Sequence, residues 1–128
     1  MTYTYAGALI VPGAVTQGSD RRLKINDKEI LDGLSKIMRV RPVEFDRRYS
    51  LEDTEYPVHE SGVIAQELYE VLPILVTPAS EDLGGEVWRV NYTGLIPYLI
   101  SAMKELNYKI GELNSEIAEL KSDRDAAA

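Results

Sequence analysis

Residues 99–120 read LISAMKELNYKIGELNSEIAEL. Within this stretch Leu99, Met103, Leu106, Ile110, Leu113, Ile117 and Leu120 recur at alternating spacings of four and three. An α-helix turns once per 3.6 residues, so positions spaced this way form one narrow stripe along it. The mean spacing is that of the heptad repeat, whose stripe is buried against the same stripe on neighbouring helices. With Ile110 and Ile117 at a, and Leu106, Leu113 and Leu120 at d, Glu116 falls at g and Lys121 at the following e. Those two positions meet between parallel neighbours, and here their charges are opposite. Glu112, Glu119 and Ser122 keep the rest of the exterior polar. The alternative is a single helix lying on its own head, but such a helix ordinarily shows a wider apolar face. The seam therefore points to a parallel oligomer. Isoleucine at a with leucine at d leans towards two strands, and periodicity alone does not set the number. Thr93 is the expected N-cap, with Pro97 tolerated near the first turn, so the helix is expected over residues 93–122.

Working back from this helix, residues 19–92 read as a small mixed head, which makes the fold class α+β. Asn26 followed by Glu29 resembles a capping box, and Ile30, Leu31, Leu34, Ile37 and Met38 share one face, so a helix is expected over 26–38. Gly33 weakens it by about 1 kcal/mol relative to alanine. Pro42 ends it at the latest. Val40 to Phe45 reads as a short strand, and the charged stretch 46–60, with Pro57, as a loop. Gly62 is expected to open a helix from Val63 to about Leu72, stopped by Pro73. Val76-Thr77 and Glu86 to Val90 read as strands joined through Pro78 to Gly85, where Gly84-Gly85 favours a hairpin. Trp88 is the expected packing anchor. Residues 1–18, with the Thr/Tyr alternation of Thr2 to Tyr5 and glycines at 7, 13 and 18, read as extended chain with turns. The change in composition after them places a boundary near Gly18-Ser19.

Composition removes several classes of function. A net charge of −7 argues against general binding to nucleic acid or to an anionic membrane. The absence of cysteine excludes disulfides, thiolate metal sites and a cysteine nucleophile, and the single histidine, His59, excludes a multi-histidine metal site. No metal or other cofactor is expected. No basic n-region with an apolar core opens the chain, and no run reaches the roughly 18 apolar residues of a membrane helix. The product is expected to be soluble and made in the cytoplasm.

The chemistry is carried by Ser19-Asp20-Arg21-Arg22-Leu23-Lys24. On its own this stretch also reads as a charged helix start capped by Ser19 or Asp20. Five residues is an awkward distance for a serine and lysine that must meet. In a helix it turns through about 500°, leaving the side chains about 140° apart, and in a strand it puts them on opposite faces. A working pair needs a bend between them or partners from different subunits.

The order of motifs along the chain carries a resemblance. Ser19-Asp20-Arg21-Arg22-Leu23-Lys24 is followed by an amphipathic segment and then by Arg41-Pro42-Val43-Glu44-Phe45. Gly62-Val63-Ile64-Ala65-Gln66-Glu67, Val90-Asn91-Tyr92 and the heptad helix come next, in that order. Together they resemble the C-terminal intramolecular chaperone domain of phage endosialidases, tail spikes and tail fibres, over roughly residues 19–121. The resemblance implies a homotrimer that folds the upstream stalk of the same polypeptide and then cuts itself away, with no nucleic-acid or membrane partner. It implies Ser19 as nucleophile, Lys24 as base and Gly18-Ser19 as the scissile bond, with residues 1–18 the end of the stalk and 19–128 the chaperone domain. It also implies assembly in the cytoplasm of a bacterial host, and release from the mature virion protein after cleavage.

Lysine's reference pKa is about 10.4, so Lys24 must be made neutral, by burial and by positive neighbours such as Arg21 and Arg22. The developing oxyanion needs a donor. Asp20, Gln66, Glu67 and the local backbone are the candidates for supporting roles, and the sequence does not choose among them. Ordinary packing accounts equally for Gln66 and Glu67. His59 reads as a surface loop residue, Trp88 and Tyr92 as packing residues, and Glu52-Asp53 and Glu81-Asp82 as solvated loops. Three functions follow for test: a self-cleaving trimerisation chaperone, a chaperone or trimerisation domain that does not cleave, and a purely structural coiled-coil adaptor or receptor-binding tip of a phage fibre.

Overall fold

The computed structural model describes residues 2–3, 9–82 and 85–127. They form a mixed α and β chain that ends in a long helix. The chain divides into two compact units, residues 1–29 with 43–62, and residues 30–42 with 63–128.

The first unit carries two antiparallel strand pairs. β1 (Thr2–Tyr3) pairs with β2 (Leu9–Ile10). Tyr5 and Gly7, which belong to the expected extended stretch, lie outside the described residues. β3 (Val43–Arg47) pairs with β4 (Val58–Gly62), with Val43 opposite Gly62 and Arg47 opposite Val58. The strand expected at Val40 to Phe45 is thus shifted towards the C-terminus. The expected loop 46–60 instead supplies the end of one strand and the start of its partner. Val43, Phe45 and Val58 lie half-buried on one face, and Glu44, Asp46 and His59 lie exposed on the other. Cross-strand polar contacts on both faces help this charged sequence hold a strand pair. Arg47 donates to Glu60 at 3.2 Å, and His59 Nδ1 lies 2.9 Å from Asp46.

The second unit holds the core. α1 (Gly33–Ile37) is a short helix, in place of the one expected over 26–38. Its start is set by a later element, α3 (Leu95–Ala127). Ser101 Oγ accepts the Gly33 N–H at 3.2 Å and donates to the Ile30 carbonyl at 2.7 Å. The Leu34 N–H donates to Glu105 Oε1 at 3.3 Å. Amides that an N-cap would otherwise satisfy are thus served from the neighbouring helix. Asn26 has φ 57°, in the left-handed region, so it cannot serve as the cap the sequence suggested. Gly33 is required by the approach of the two helices. A Cβ there would stand 2.5 Å from Ser101 Cβ.

α2 (Ala65–Val71) starts three residues later than Gly62, which closes β4 instead. It is stopped by Pro73, as expected, and Pro73–Leu75 forms a 3-10 turn. β5 (Val76–Thr77) pairs with β6 (Arg89–Val90), the ordered remainder of the strand expected from Glu86. Ser80 and Gly85 exchange two backbone hydrogen bonds across the intervening turn, and Gly84 lies outside the described residues. Leu68, Leu72, Leu75 and Val76 are buried together, covered by Val40, Val63, Trp88, Val90, Leu95 and Tyr98 among others. Trp88 is the anchor expected, meeting Tyr69 edge-on at 5.3 Å between ring centres.

Asn91, not Thr93, caps the approach to α3. Its Oδ1 accepts from the Gly94 N–H at 3.3 Å and from Thr93 Oγ1 at 2.9 Å. The Tyr92 hydroxyl accepts the Val63 N–H at 3.1 Å and donates to the Val63 carbonyl. The Asn91-Tyr92 pair therefore ties the start of α3 to the start of α2. α3 spans 33 residues and runs past the expected end at 122. Leu95, Tyr98, Ser101, Ala102 and Glu105 turn one flank of it to the core and to α1. At 100° per residue, the a and d positions are centred about 100° further round the helix. Leu99, Met103, Leu106, Ile110, Leu113, Ile117 and Leu120 are all exposed there. The helix packs on its own head, but not by its heptad stripe.

Candidate active site

Asp20 begins the site. Its backbone is extended (φ −62°, ψ 140°) and its carboxylate accepts the Arg22 N–H at 2.8 Å, capping a 3-10 turn over Arg21–Leu23. The Leu23 amide donates to the Asp20 carbonyl at 3.0 Å and the Lys24 amide to the Arg21 carbonyl at 3.2 Å. Lys24 leaves the turn extended. A tight turn followed by an extended residue brings the two side chains to one side, and Lys24 Nζ stands 2.5 Å from Ser19 Oγ. The bend that the five-residue spacing demanded is this single turn, formed within one chain.

The surrounding charges are paired. Arg21 makes a two-point contact with Asp27, at 2.7 and 3.0 Å, which pulls the Asp27 carboxyl below its ordinary range. Arg22 donates twice to the Asp20 carboxylate, at 3.0 Å each, and lowers it likewise. The positive charge of Arg21 and Arg22 was expected to favour a neutral Lys24. In the folded chain each is instead answered by a carboxylate of its own. Asp20 serves as the turn's cap, which leaves it as a source of geometry; a carboxylate has no proton to give an oxyanion.

Ser19 and Lys24 are exposed in the single chain, and so are Leu23 and Ile25 on either side of the lysine. A Cβ added at Gly18 would meet only Leu23 Cδ1, at an ordinary 3.7 Å. The fold of the chain therefore does not itself require glycine at the residue before Ser19.

The remaining candidates sit in the second unit. Gln66 is exposed on α2. Glu67 is held by Arg41 in a two-point ion pair, at 2.7 and 2.9 Å, which lowers its carboxyl. This pair links the Arg41-Pro42 and Gln66-Glu67 motifs and gives Glu67 a structural task. Asn26 and Asp27 are the residues beside the pair that the sequence did not place there, and Arg21, expected as a positive neighbour of Lys24, is instead the partner of Asp27. The positive φ of Asn26 had a signal, since asparagine is among the few residues that take it readily. Asp27 had none. Among the described residues no group of three or more histidine and acidic side chains is disposed to hold a metal, and no helix is long and apolar enough to cross a membrane.

Residues 19–77 match a family model described as the chaperone of endosialidase and named as a peptidase. The chain is 33% identical over 121 residues to the long tail fiber protein Gp37 of Enterobacteria phage M1, covering 90% of this chain and 48% of that protein. It is 34% identical over 119 residues to the same-named protein of Enterobacteria phage Ox2, covering 88% of this chain and 47% of the relative. It thus spans about half the length of these relatives. A match at 30% identity over 122 residues extends to myelin regulatory factor homolog 1 of Caenorhabditis elegans, covering 91% of this chain and 13% of that protein. The part of this chain that matches the chaperone of endosialidase family, residues 19–77, holds the Ser19–Lys24 turn, the Arg41–Glu67 pair and the start of the core.

Proposed function

We propose that this chain is the intramolecular chaperone of a phage tail fibre or tail spike, that it trimerises through α3, and that it releases itself by cutting Gly18-Ser19. The observation that carries the cleavage is the contact of Lys24 Nζ with Ser19 Oγ at 2.5 Å. The observation that supports assembly is the exposed heptad stripe, which the helix's own head leaves uncovered. The tail-fibre relatives support the upstream stalk of the same polypeptide as the client. On this reading residues 1–18 end the stalk and 19–128 form the chaperone domain.

The chemistry needs Lys24 as the neutral amine. A charged ammonium only donates to Ser19 Oγ, whereas a base must accept from it. Neutral Lys24 takes the Ser19 hydroxyl proton as Oγ attacks the Gly18 carbonyl carbon. The C–N bond then breaks, the Ser19 nitrogen leaves as an amine with a proton returned from Lys24, and Gly18 is held as an ester on Oγ. Water hydrolyses that ester, giving a Gly18 carboxylate and a free Ser19 hydroxyl.

Exclusion of water favours the neutral amine, and neighbouring copies laid over Leu23 and Ile25 would provide it. This couples cleavage to assembly: an unassembled chain keeps its chaperone and a correctly assembled one sheds it. Two measurements test the proposal. In a verified trimer, Lys24→Ala leaves residues 1–18 attached where the parent loses them. Stalk bearing residues 19–128 refolds to trimers in higher yield than stalk without them. Equal yields with and without the domain would remove the chaperone role.

A further inference from the structure

A contact between Ser19 and Lys24 depends on where the chain goes after the lysine as well as before it. Before Lys24, the path is fixed by the capped 3-10 turn. After it, Asn26 reverses the chain at φ 57°, and Asp27 reaches back six positions to Arg21, the first residue of that turn. The two guanidinium nitrogens bind the two carboxylate oxygens at 2.7 and 3.0 Å. A two-point contact fixes the plane of the pair as well as its separation. Residues 21–27 are thereby closed into a loop with Lys24 inside it.

On the reading that Ser19 and Lys24 are the cleaving pair, we infer that Asp27, acting through Arg21, is a positioning residue that holds the Lys24 amine against Ser19. Lysine has a flexible four-carbon stem and loses much rotamer freedom when held in one place. Closing the backbone on both sides of it reduces what the stem must still lose. An exposed ion pair adds little to the stability of a fold. Its effect here lies in geometry, where a misplacement of about 1 Å near the reacting atoms costs about a hundredfold in rate. The Asp20–Arg22 pair does not do this work, because it spans only the turn that precedes Lys24.

The test uses the full chain, made by cell-free translation. Release of residues 1–18 is followed by intact mass over time and over a range of pH. Asp27→Asn and Arg21→Gln are each expected to slow release about tenfold to a hundredfold at the plateau of the pH profile. The pH of half-maximal rate stays where it is in the parent. The double variant is no slower than the slower single one, since both remove the same contact. Asp27→Glu, which keeps a carboxylate, retains more rate than Asp27→Asn. Helical signal and association state match the parent throughout. Parental rates in Asp27→Asn, losses that multiply in the double variant, or a moved midpoint with an intact plateau would each overturn the positioning role while leaving Ser19 and Lys24 in place. A parent that stays uncut would instead refute the cleavage reading, and this inference with it.

Discussion

Truncating the heptad stripe should dissociate the proposed trimer by an amount that the exposures set. Ile110 is 55% exposed and Ile117 49% exposed in the single chain, so about half of each side chain remains to be buried by neighbours. Full burial of such a side chain stabilises by about 1.5–3 kcal/mol, so each position contributes about 1 kcal/mol per chain. In a trimer each substitution is made three times, and Ile110→Ala with Ile117→Ala should cost about 6 kcal/mol per assembly. At 1.4 kcal/mol per tenfold, the dissociation constant rises about ten-thousandfold. That constant scales with the square of the monomer concentration, so the midpoint concentration rises about a hundredfold. Sedimentation equilibrium over a wide range of loading concentrations reads this directly. Tyr108 is the control: it is 68% exposed and falls at the outer f position. Tyr108→Ala should leave the midpoint unchanged. A double isoleucine variant that associates like the parent would refute the seam. So would a Tyr108 variant that dissociates as readily as the double.

Two glycines should respond oppositely to the same substitution. Gly33→Ala places a Cβ 2.5 Å from Ser101 Cβ and should cost about 1–3 kcal/mol through overpacking, seen as a lower thermal midpoint. Gly111→Ala meets nothing within 4 Å, lies inside α3, and should stabilise by about 0.5–1 kcal/mol in the same melt. The Asp27 carboxyl should titrate below its ordinary value of 3.8, because Arg21 stabilises its charged form. Its folded value being lowered, the loop's ion pair is fully present above 3.8 and is lost as pH falls through the lowered value. Carbon-detected NMR of Asp27 should show that midpoint rising in Arg21→Gln, and an unmoved midpoint would count against the pairing.

The parts of this fold legible in the sequence are those governed by local periodicity or by strong punctuation. The heptad helix, the stop at Pro73, the strand at Val76-Thr77 and the anchoring role of Trp88 all have local causes. What misled the reading had causes far along the chain. α1 begins at Gly33 because Ser101 and Glu105, some 70 positions away, supply its N-terminal partners. β4 hides in a polar stretch because its residues are paired across the hairpin with Glu44, Asp46 and Arg47 and bury little. The Ser19–Lys24 pair was visible as residue types, and the resemblance gave them roles. The turn that joins them rests on an Asp20 cap and an Arg21–Asp27 clamp whose partners nothing in the spacing identifies.

On the proposed mechanism, Ser19 cuts the bond before itself. The direct measurement is the intact mass of the purified parent chain beside Ser19→Ala, each first verified as an assembled trimer. Self-cleavage at Gly18-Ser19 gives a parent that has lost residues 1–18 and begins at Ser19, and a variant that keeps them. A parent trimer that retains its full mass, or a Ser19→Ala trimer that is still cut at Gly18-Ser19, would contradict it.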